Sequence, residues 1–478
     1  MLPKLRSALG RAVLTLVLLA CASESLAAKP SEKRSTVLLT ERDEEVVGRK
    51  AAAQAVAEFG LFDDPALAAY VDGIGRKLLR GFPHRSFRFH VVDDASPNAF
   101  AIPGGYVFVS RGLLALANSE DELACVIGHE IAHVLARHAA TQQALDRSTS
   151  PLVGGWRRAA QSASYSRDME RQADTEGQRL CAAAGYDPRA LSTYLQTLRR
   201  VEPLIARVSP SPGFFATHPN SVERAAAASV RASELRWRRD PARGDGRAAL
   251  LARIDGMPVG QRPQSGVFRG DWFLQPDMNF QVRFPSGWRT SNTSVSVGAK
   301  EPKGAAVVFL TAEPPTVDGR EGAERWLVQA RAEHEIDVVE SKRVSAGTIP
   351  AWRLLVETRD KRGSLSSYVT AIPYAAYTFL VTGVAPSRTA RKELPRTLVT
   401  ARTFGPLSDE ARASIRITTL EVVTARAGET PRAVAQRTRG AWDGSDVAVY
   451  NGVQDDFRFA AGDRVKIARE RPYASKAR

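Results

Sequence analysis

The stretch VIGHEIAHVLARH, residues 126–138, decides how this chain reads. Val126, Ile127, Ile131, Val134 and Leu135 recur at the spacing of the apolar face of a helix. On such a helix His129 and His133, four residues apart, share one face. Two neutral imidazoles so placed coordinate one Zn²⁺, and Glu130, beside the first, is positioned to take a proton from a metal-bound water. His138 lies five residues beyond His133; on a continuing helix it turns away from the ligands and, with Arg137, reads as packing or surface.

A short motif needs a further ligand, and YSRDMERQADTEGQRL, residues 165–180, offers one. Glu170 and Asp174 are also one helical turn apart. Glu170 is assigned as the third zinc ligand, and Asp174 as acceptor of the outer N–H of a ligating histidine. Two histidines and one carboxylate leave a fourth position open, as in a catalytic rather than a closed structural site. In FFATHPNSVERAAAA, residues 214–228, His218 precedes a helix beginning near Asn220 or Ser221. It can fill the fourth position at rest, stabilise a developing oxyanion, or simply mark the helix start. Arg224 is placed to anchor that loop through a carboxylate.

Upstream, residues 41–79 read as two helices, the second started by Asp64-Pro65. Phe87–Val92 reads as a strand, and Gly104-Gly105 permits a turn between Ala99–Ile102 and Tyr106–Ser110. Ala101 to Phe108 is the candidate edge along which an extended polypeptide adds by backbone hydrogen bonds. Ser119 and Glu122 suggest a capping box at the start of the zinc helix. Gly154-Gly155 and Trp156, within residues 149–164, suit either a lid or a connector.

Lys4, Arg6 and Arg11 precede an apolar run from Ala12 to Ala22, so residues 1–27 read as a signal peptide cleaved after Ala27. The alternative is a lipoprotein signal, residues 1–20, in which Leu18-Leu19-Ala20-Cys21 makes Cys21 the lipidated residue. Either places the mature chain in the periplasm, free or anchored to the outer membrane. Cys125 and Cys181 suit two packed thiols, a disulfide being conceivable. The formal charge of +15 is spread without a basic arm or aromatic-basic ladder, which argues against nucleic acid and fits an anionic envelope surface.

Residues 236–265, rich in Arg, Gly and Pro, read as a linker after a 40–235 metallopeptidase domain. No 34-residue helical repeat follows. Strand-like runs at Phe280–Phe284, Ala305–Leu310, Ala351–Glu357, Leu365–Ile372 and Tyr377–Thr382, with a helix at Glu321–His334, indicate an α+β domain over residues 266–405. His334 reads there as isolated and solvent-facing. Residues 417–468 combine strand, helix, Asn451-Gly452 and a closing strand, and their GETPRAVA, YNG and AGDRVKI pieces resemble the peptidoglycan-binding βααβ LysM module. Thr430 and Asn451 are then candidate glycan contacts or plain turn residues.

Residues 40–230 resemble the gluzincin peptidases that include the CAAX prenyl protease, HtpX and the periplasmic BepA-like enzymes. The matching stretches are NAFAIPGGYVFVSRGLL, GHEIAHVLARH, SRDMERQADTEG and FFATHPNSVER, in that order. The resemblance implies a mainly α zincin-type domain with a small β-sheet, holding one Zn²⁺ per chain on His129, His133 and Glu170. It implies catalysis by Glu130 with support from Asp174, and a self-inhibited site in which His218 is a further ligand. It also implies unfolded or misassembled envelope proteins as substrates and the outer-membrane assembly machinery as a partner. Two other readings share these residues: a non-catalytic cell-wall-associated chaperone or scaffold, and a hydrolase of peptidoglycan peptides.

Overall fold

A computed structural model describes residues 40–82, 86–145, 165–208, 214, 218, 222–241, 244, 246–360 and 363–475. They fall into two compact units, one within residues 34–261 and 417–471, the other within 262–416 and 472–478. The proposed signal segment, Cys21 and the Gly154–Trp156 lid lie outside the described residues.

In the first unit, helix α1 (Glu41–Phe59) opens on a capping box made by Thr40 and Asp43. Helix α2 (Pro65–Leu78) opens on Asp64, whose side chain accepts from the Leu67 N–H, with proline in its first turn. Strands β1 (Arg88–Val92), β2 (Ala99–Ile102) and β3 (Tyr106–Ser110) form a sheet in the order β1-β3-β2. Strand β3 pairs parallel with β1 and antiparallel with β2. The turn requires glycine: Gly105 has φ +83°, and a Cβ there would lie 2.1 Å from the Ser86 carbonyl oxygen. Strands β1 and β2 are therefore the edges, with β3 between them. Tyr106–Phe108, expected within the substrate edge, are in the central strand with both sides paired, which confines that edge to β2.

Helices α3 (Arg111–Leu116), α4 (Glu120–Leu135), α5 (His138–Leu145), α6 (Arg167–Ala183), α7 (Ala190–Val208), α8 (Val222–Glu234) and α9 (Gly246–Ile254) complete this part. Ser119 caps α4 by accepting from the Glu122 N–H. Glu122 does not close the expected box: its carboxylate accepts from the Asn118 N–H at 2.7 Å and from Thr193 at 2.7 Å. Every residue of α4 from Asp121 to His133 is buried, so the helix is the spine of the core. Leu123, Ile127 and Ile131 share that core with Val71 and Ile74 of α2 and Leu191 and Leu195 of α7. Helix α9 falls in the expected linker, yet Leu250, Leu251 and Ile254 are buried in the same core.

The second unit contains β4 (Val267–Arg269), β5 (Trp272–Gln275), β6 (Phe280–Arg283), β7 (Arg289–Asn292), β8 (Val297–Lys300), β9 (Val307–Glu313), α10 (Gly319–Arg331), β10 (Ile336–Ala346), β11 (Ile349–Asp360), β12 (Gly363–Tyr374), β13 (Tyr377–Pro386), α11 (Ser387–Arg402), β14 (Gly405–Pro406) and α12 (Asp409–Ser414). A seven-stranded sheet runs β10-β11-β12-β13-β9-β8-β7. Strand alternation sends Leu354, Val369 and Leu380 towards Trp326 of α10, and Ile372, Phe379 and Val381 into the core shared with Leu394 of α11. His334, expected in solvent, is half-buried, its N–H bonded to the Ala330 carbonyl.

The chain then returns to the first unit as β15 (Arg416–Thr424), α13 (Pro431–Thr438), α14 (Gly444–Tyr450) and β16 (Arg464–Pro472), the two strands pairing. This segment has a small core of its own around Val434, Val447 and Ile467, and Leu420, Val449 and Ala468 also join it to the core that holds the zinc helix. Asn451 is consumed structurally, donating to the Val447 and Lys466 carbonyls and accepting from the Lys466 N–H, each at 2.8–2.9 Å. Thr430 caps α13. The architecture is a mainly helical metal-binding domain followed by mixed α/β regions.

Candidate metal centre

The centre forms where α4 and α6 approach closely through glycine. A Cβ on Gly177 would lie 2.8 Å from the His129 backbone nitrogen, and one on Gly128 would lie 3.0 Å from the Gly177 carbonyl oxygen. With no side chains between them, the helices bring His129 and His133 of one against Glu170 and Asp174 of the other.

Ligand atoms of His129, His133, Glu170 and His218 all lie within 4.8 Å of one another, and all four residues are buried. His133 Nε2 is 3.0 Å from His129 Nε2, which is 3.3 Å from His218 Nδ1. Glu170 Oε1 is 2.9 Å from His218 Nδ1 and 3.4 Å from His133 Nε2. Tetrahedral ligands about 2.1 Å from a zinc ion stand about 3.4 Å apart, so the group fits that ion. Glu130 adds a second sign of fit. Its carboxylate is fully buried, neither oxygen has a hydrogen-bond partner, and its nearest basic group is His218 Nε2 at 3.5 Å.

Burial pushes the Glu130 carboxyl up, against the opposing pull of His218 and His129. Burial also lowers His133 well below the ordinary histidine range, favouring the neutral imidazole that ligates metal. For Glu170, burial acts upward, but His218, His133 and His129 outweigh it and hold the carboxyl far below its usual range. Burial lowers His218, yet the Glu170 and Glu130 carboxylates raise it on balance: this spot attracts positive charge.

A second layer holds the first. Asp174 Oδ1 is 3.0 Å from His129 Nδ1. Arg224 grips both Asp174 oxygens at 2.8 and 2.9 Å and reaches Glu170 Oε2 at 2.7 Å. Burial would raise Asp174, but hydrogen bonds from His129 and Arg224 bring it to about 2. The carboxylate anchor expected for Arg224 is thus two carboxylates. Phe214 stacks on His218 at 4.4 Å between ring centroids, and its N–H bonds the Pro97 carbonyl at 3.1 Å.

Sequence reasoning missed two neighbours. Tyr165, just before the Ser166 cap of α6, stacks on His133 at 4.1 Å between centroids. His138, expected to point away, is buried with Nδ1 2.9 Å from His133 Nδ1. Cys125 and Cys181 are buried free thiols on the two facing helices, as the packed-thiol reading expected.

Fold and site together define a buried metal-binding centre held between two facing helices. Residues 65–164 and 150–232 match the model of Peptidase family M48. This chain is 33% identical over 174 residues to the mitochondrial metalloendopeptidase OMA1 of Schizosaccharomyces pombe, covering 32% of this chain and 50% of that protein. It is 28% identical over 204 residues to the beta-barrel assembly-enhancing protease of Escherichia coli K12, covering 37% and 41%. The OMA1 metalloendopeptidase of Bos taurus is 32% identical over 169 residues, covering 30% and 32%. The chain therefore spans half or less of the length of these relatives.

Proposed function

We propose that this chain is a zinc metalloendopeptidase of the bacterial cell envelope that degrades misfolded or stalled periplasmic and outer-membrane proteins. One observation carries the proposal: four metal-donor side chains converge within 4.8 Å beside an unpartnered buried carboxylate. His129, His133 and Glu170 would hold Zn²⁺, with His218 as the fourth donor. When bound, the ion polarises the scissile carbonyl and makes its water acidic. Glu130 takes the proton from the attacking water and returns it to the leaving amine. Asp174 accepts the His129 Nδ1 proton, which leaves Nε2 free as a donor. The β2 edge aligns an extended backbone, a mode that suits unfolded substrates of varied sequence. With His218 at the fourth position the enzyme rests, and withdrawal of its loop admits water.

Envelope substrates and a partnership with the outer-membrane assembly machinery draw support from the similarity to beta-barrel assembly-enhancing proteases. The basic charge and the apolar leader support export to the periplasm. Intact mass of the mature chain separates a free Ala28 terminus from lipidated Cys21. Peptidoglycan is the candidate ligand of residues 417–468, through groups other than Asn451, and sedimentation with purified peptidoglycan tests it.

The deciding experiment compares metal-loaded wild type and Glu130→Gln on an unfolded outer-membrane protein. The variant keeps zinc and loses about 10²–10⁴-fold in turnover. Zinc binding without cleavage by wild type would favour the chaperone reading; cleavage confined to muropeptides would favour the peptidoglycan hydrolase.

A further inference from the structure

His138 reaches the centre because the zinc helix stops early. On an unbroken helix a residue five positions beyond His133 lies about 140° around the axis. Helix α4 instead ends at Leu135, and Arg137 takes the left-handed conformation with φ +56°. That conformation is uncommon for a residue with a side chain, and here Arg137 is fastened to Glu44 of α1 at 2.7 Å. The reversal turns His138, first residue of α5, back onto the ring of His133.

The hydrogen bonds then admit one consistent set of protons. His133 directs Nε2 at the other ligands, so as a metal donor it carries its proton on Nδ1. That nitrogen is 2.9 Å from His138 Nδ1, a separation that places one proton between the two rings. His138 Nδ1 is therefore bare, and its own proton sits on Nε2. Nε2 in turn lies 3.1 Å from Gln172 Oε1, a carbonyl oxygen able only to accept. The chain runs His133 Nδ1–H to His138 Nδ1, then His138 Nε2–H to Gln172 Oε1. Its counterpart at the other ligand is the Asp174 carboxylate on His129, so the two histidine ligands have unlike outer partners.

We propose that His138 is a positioning residue of the metal centre: it accepts the Nδ1 proton of His133, fixes that ligand as the Nε2 donor, and is itself oriented by Gln172. The proposal rests on the reading of the cluster as a zinc site. Outer partners of this kind are worth about 10–100-fold in metal affinity.

The test measures the zinc dissociation constant of the full chain by competition with a chromophoric chelator. His138→Phe keeps a ring of similar size without an acceptor and should weaken binding by about 10–100-fold. His138→Gln restores a carbonyl acceptor and should recover most of the loss, a rescue that packing alone would not produce. Gln172 is exposed, so Gln172→Met leaves the core intact and should weaken binding by a smaller factor. In zinc-loaded wild type labelled with ¹⁵N at its seven histidines, two-bond correlations should show His138 protonated on Nε2 and bare on Nδ1. Melting of the metal-free variants checks that each is folded. Wild-type affinity in His138→Phe, equal losses in the Phe and Gln variants, or a His138 protonated on Nδ1 would each overturn the proposal. Wild type that binds no zinc would instead overturn the underlying site.

Discussion

Lys466 offers the sharpest test of how the end of the chain is joined to the metal-binding unit. It is fully buried on β16, and its ammonium donates to the carbonyls of Ala115, Leu116 and Ala117 at 2.8, 3.2 and 2.8 Å. These are the closing carbonyls of α3, just before the zinc helix, and an ammonium has three protons to give them. Lys466→Met keeps most of the volume and removes every donor. The Leu116 carbonyl still accepts from Asn118 Nδ2 at 3.1 Å, so two carbonyls lose this partner outright. Each costs about 1–3 kcal/mol, and the attraction between Lys466 and buried Glu122 is lost as well. Removing a buried ammonium recovers part of its desolvation cost, so the net loss should be about 2–4 kcal/mol. For a unit of this size that lowers the melting temperature by roughly 3–7 °C. Scanning calorimetry of the full chain reads the shift, and a chain ending at residue 416 should lose the cooperative transition of the metal-binding unit. A melting temperature within about 1 °C of wild type for Lys466→Met, with a normal transition in the shortened chain, would refute the reasoning.

His218→Ala should keep zinc bound and raise cleavage of an unfolded protein, with new self-cleavage on gels; a fall in turnover would instead assign His218 to the oxyanion. Gly177→Ala forces a Cβ to 2.8 Å from the His129 backbone, so α4 and α6 must separate. Zinc affinity should fall and stability should drop by about 1–3 kcal/mol, read by chelator competition and denaturant melts. Removing zinc with a chelator should destabilise the chain by about 4 kcal/mol relative to protein held at a thousand times its dissociation constant, and zinc but not Mg²⁺ should restore the melt.

The ligands were legible because their spacing is local. His129 and His133 stand four positions apart, as do Glu170 and Asp174, and each pair projects onto one helix face whatever the tertiary fold. Periodicity failed where the backbone left the helix. His138 was assigned away from the ligands by carrying the helical repeat through Arg137, whose left-handed φ the sequence does not announce. The substrate edge was drawn too long for a different reason. Alternation marks Tyr106–Phe108 as strand but cannot say that β1 returns in parallel to pair its free side. Helix α9 was read as linker, and the tie of the β15–β16 segment to the larger core was not foreseen, because the partners are distant in sequence. Leu250 joins that core from more than a hundred residues past the zinc helix, and Leu420 and Ala468 join it only after the chain has crossed the whole second unit.

Charge explains why the centre withstands being assembled from such scattered pieces. Glu130, Glu170 and Asp174 are all buried, and among the described residues Arg224 is the one equally buried guanidinium facing them, with Arg231 farther out at 3.8 Å from Asp174. Three buried carboxylates face one guanidinium, with a second at the rim and the His218 imidazole beside Glu170 and Glu130. Arg224 binds Asp174 and Glu170 but leaves Glu130 bare. A structural network would have paired every oxygen, since an unpaired buried carboxylate costs several kcal/mol. The unpaired Glu130 carboxylate is therefore the part of the centre that the fold by itself stabilises least.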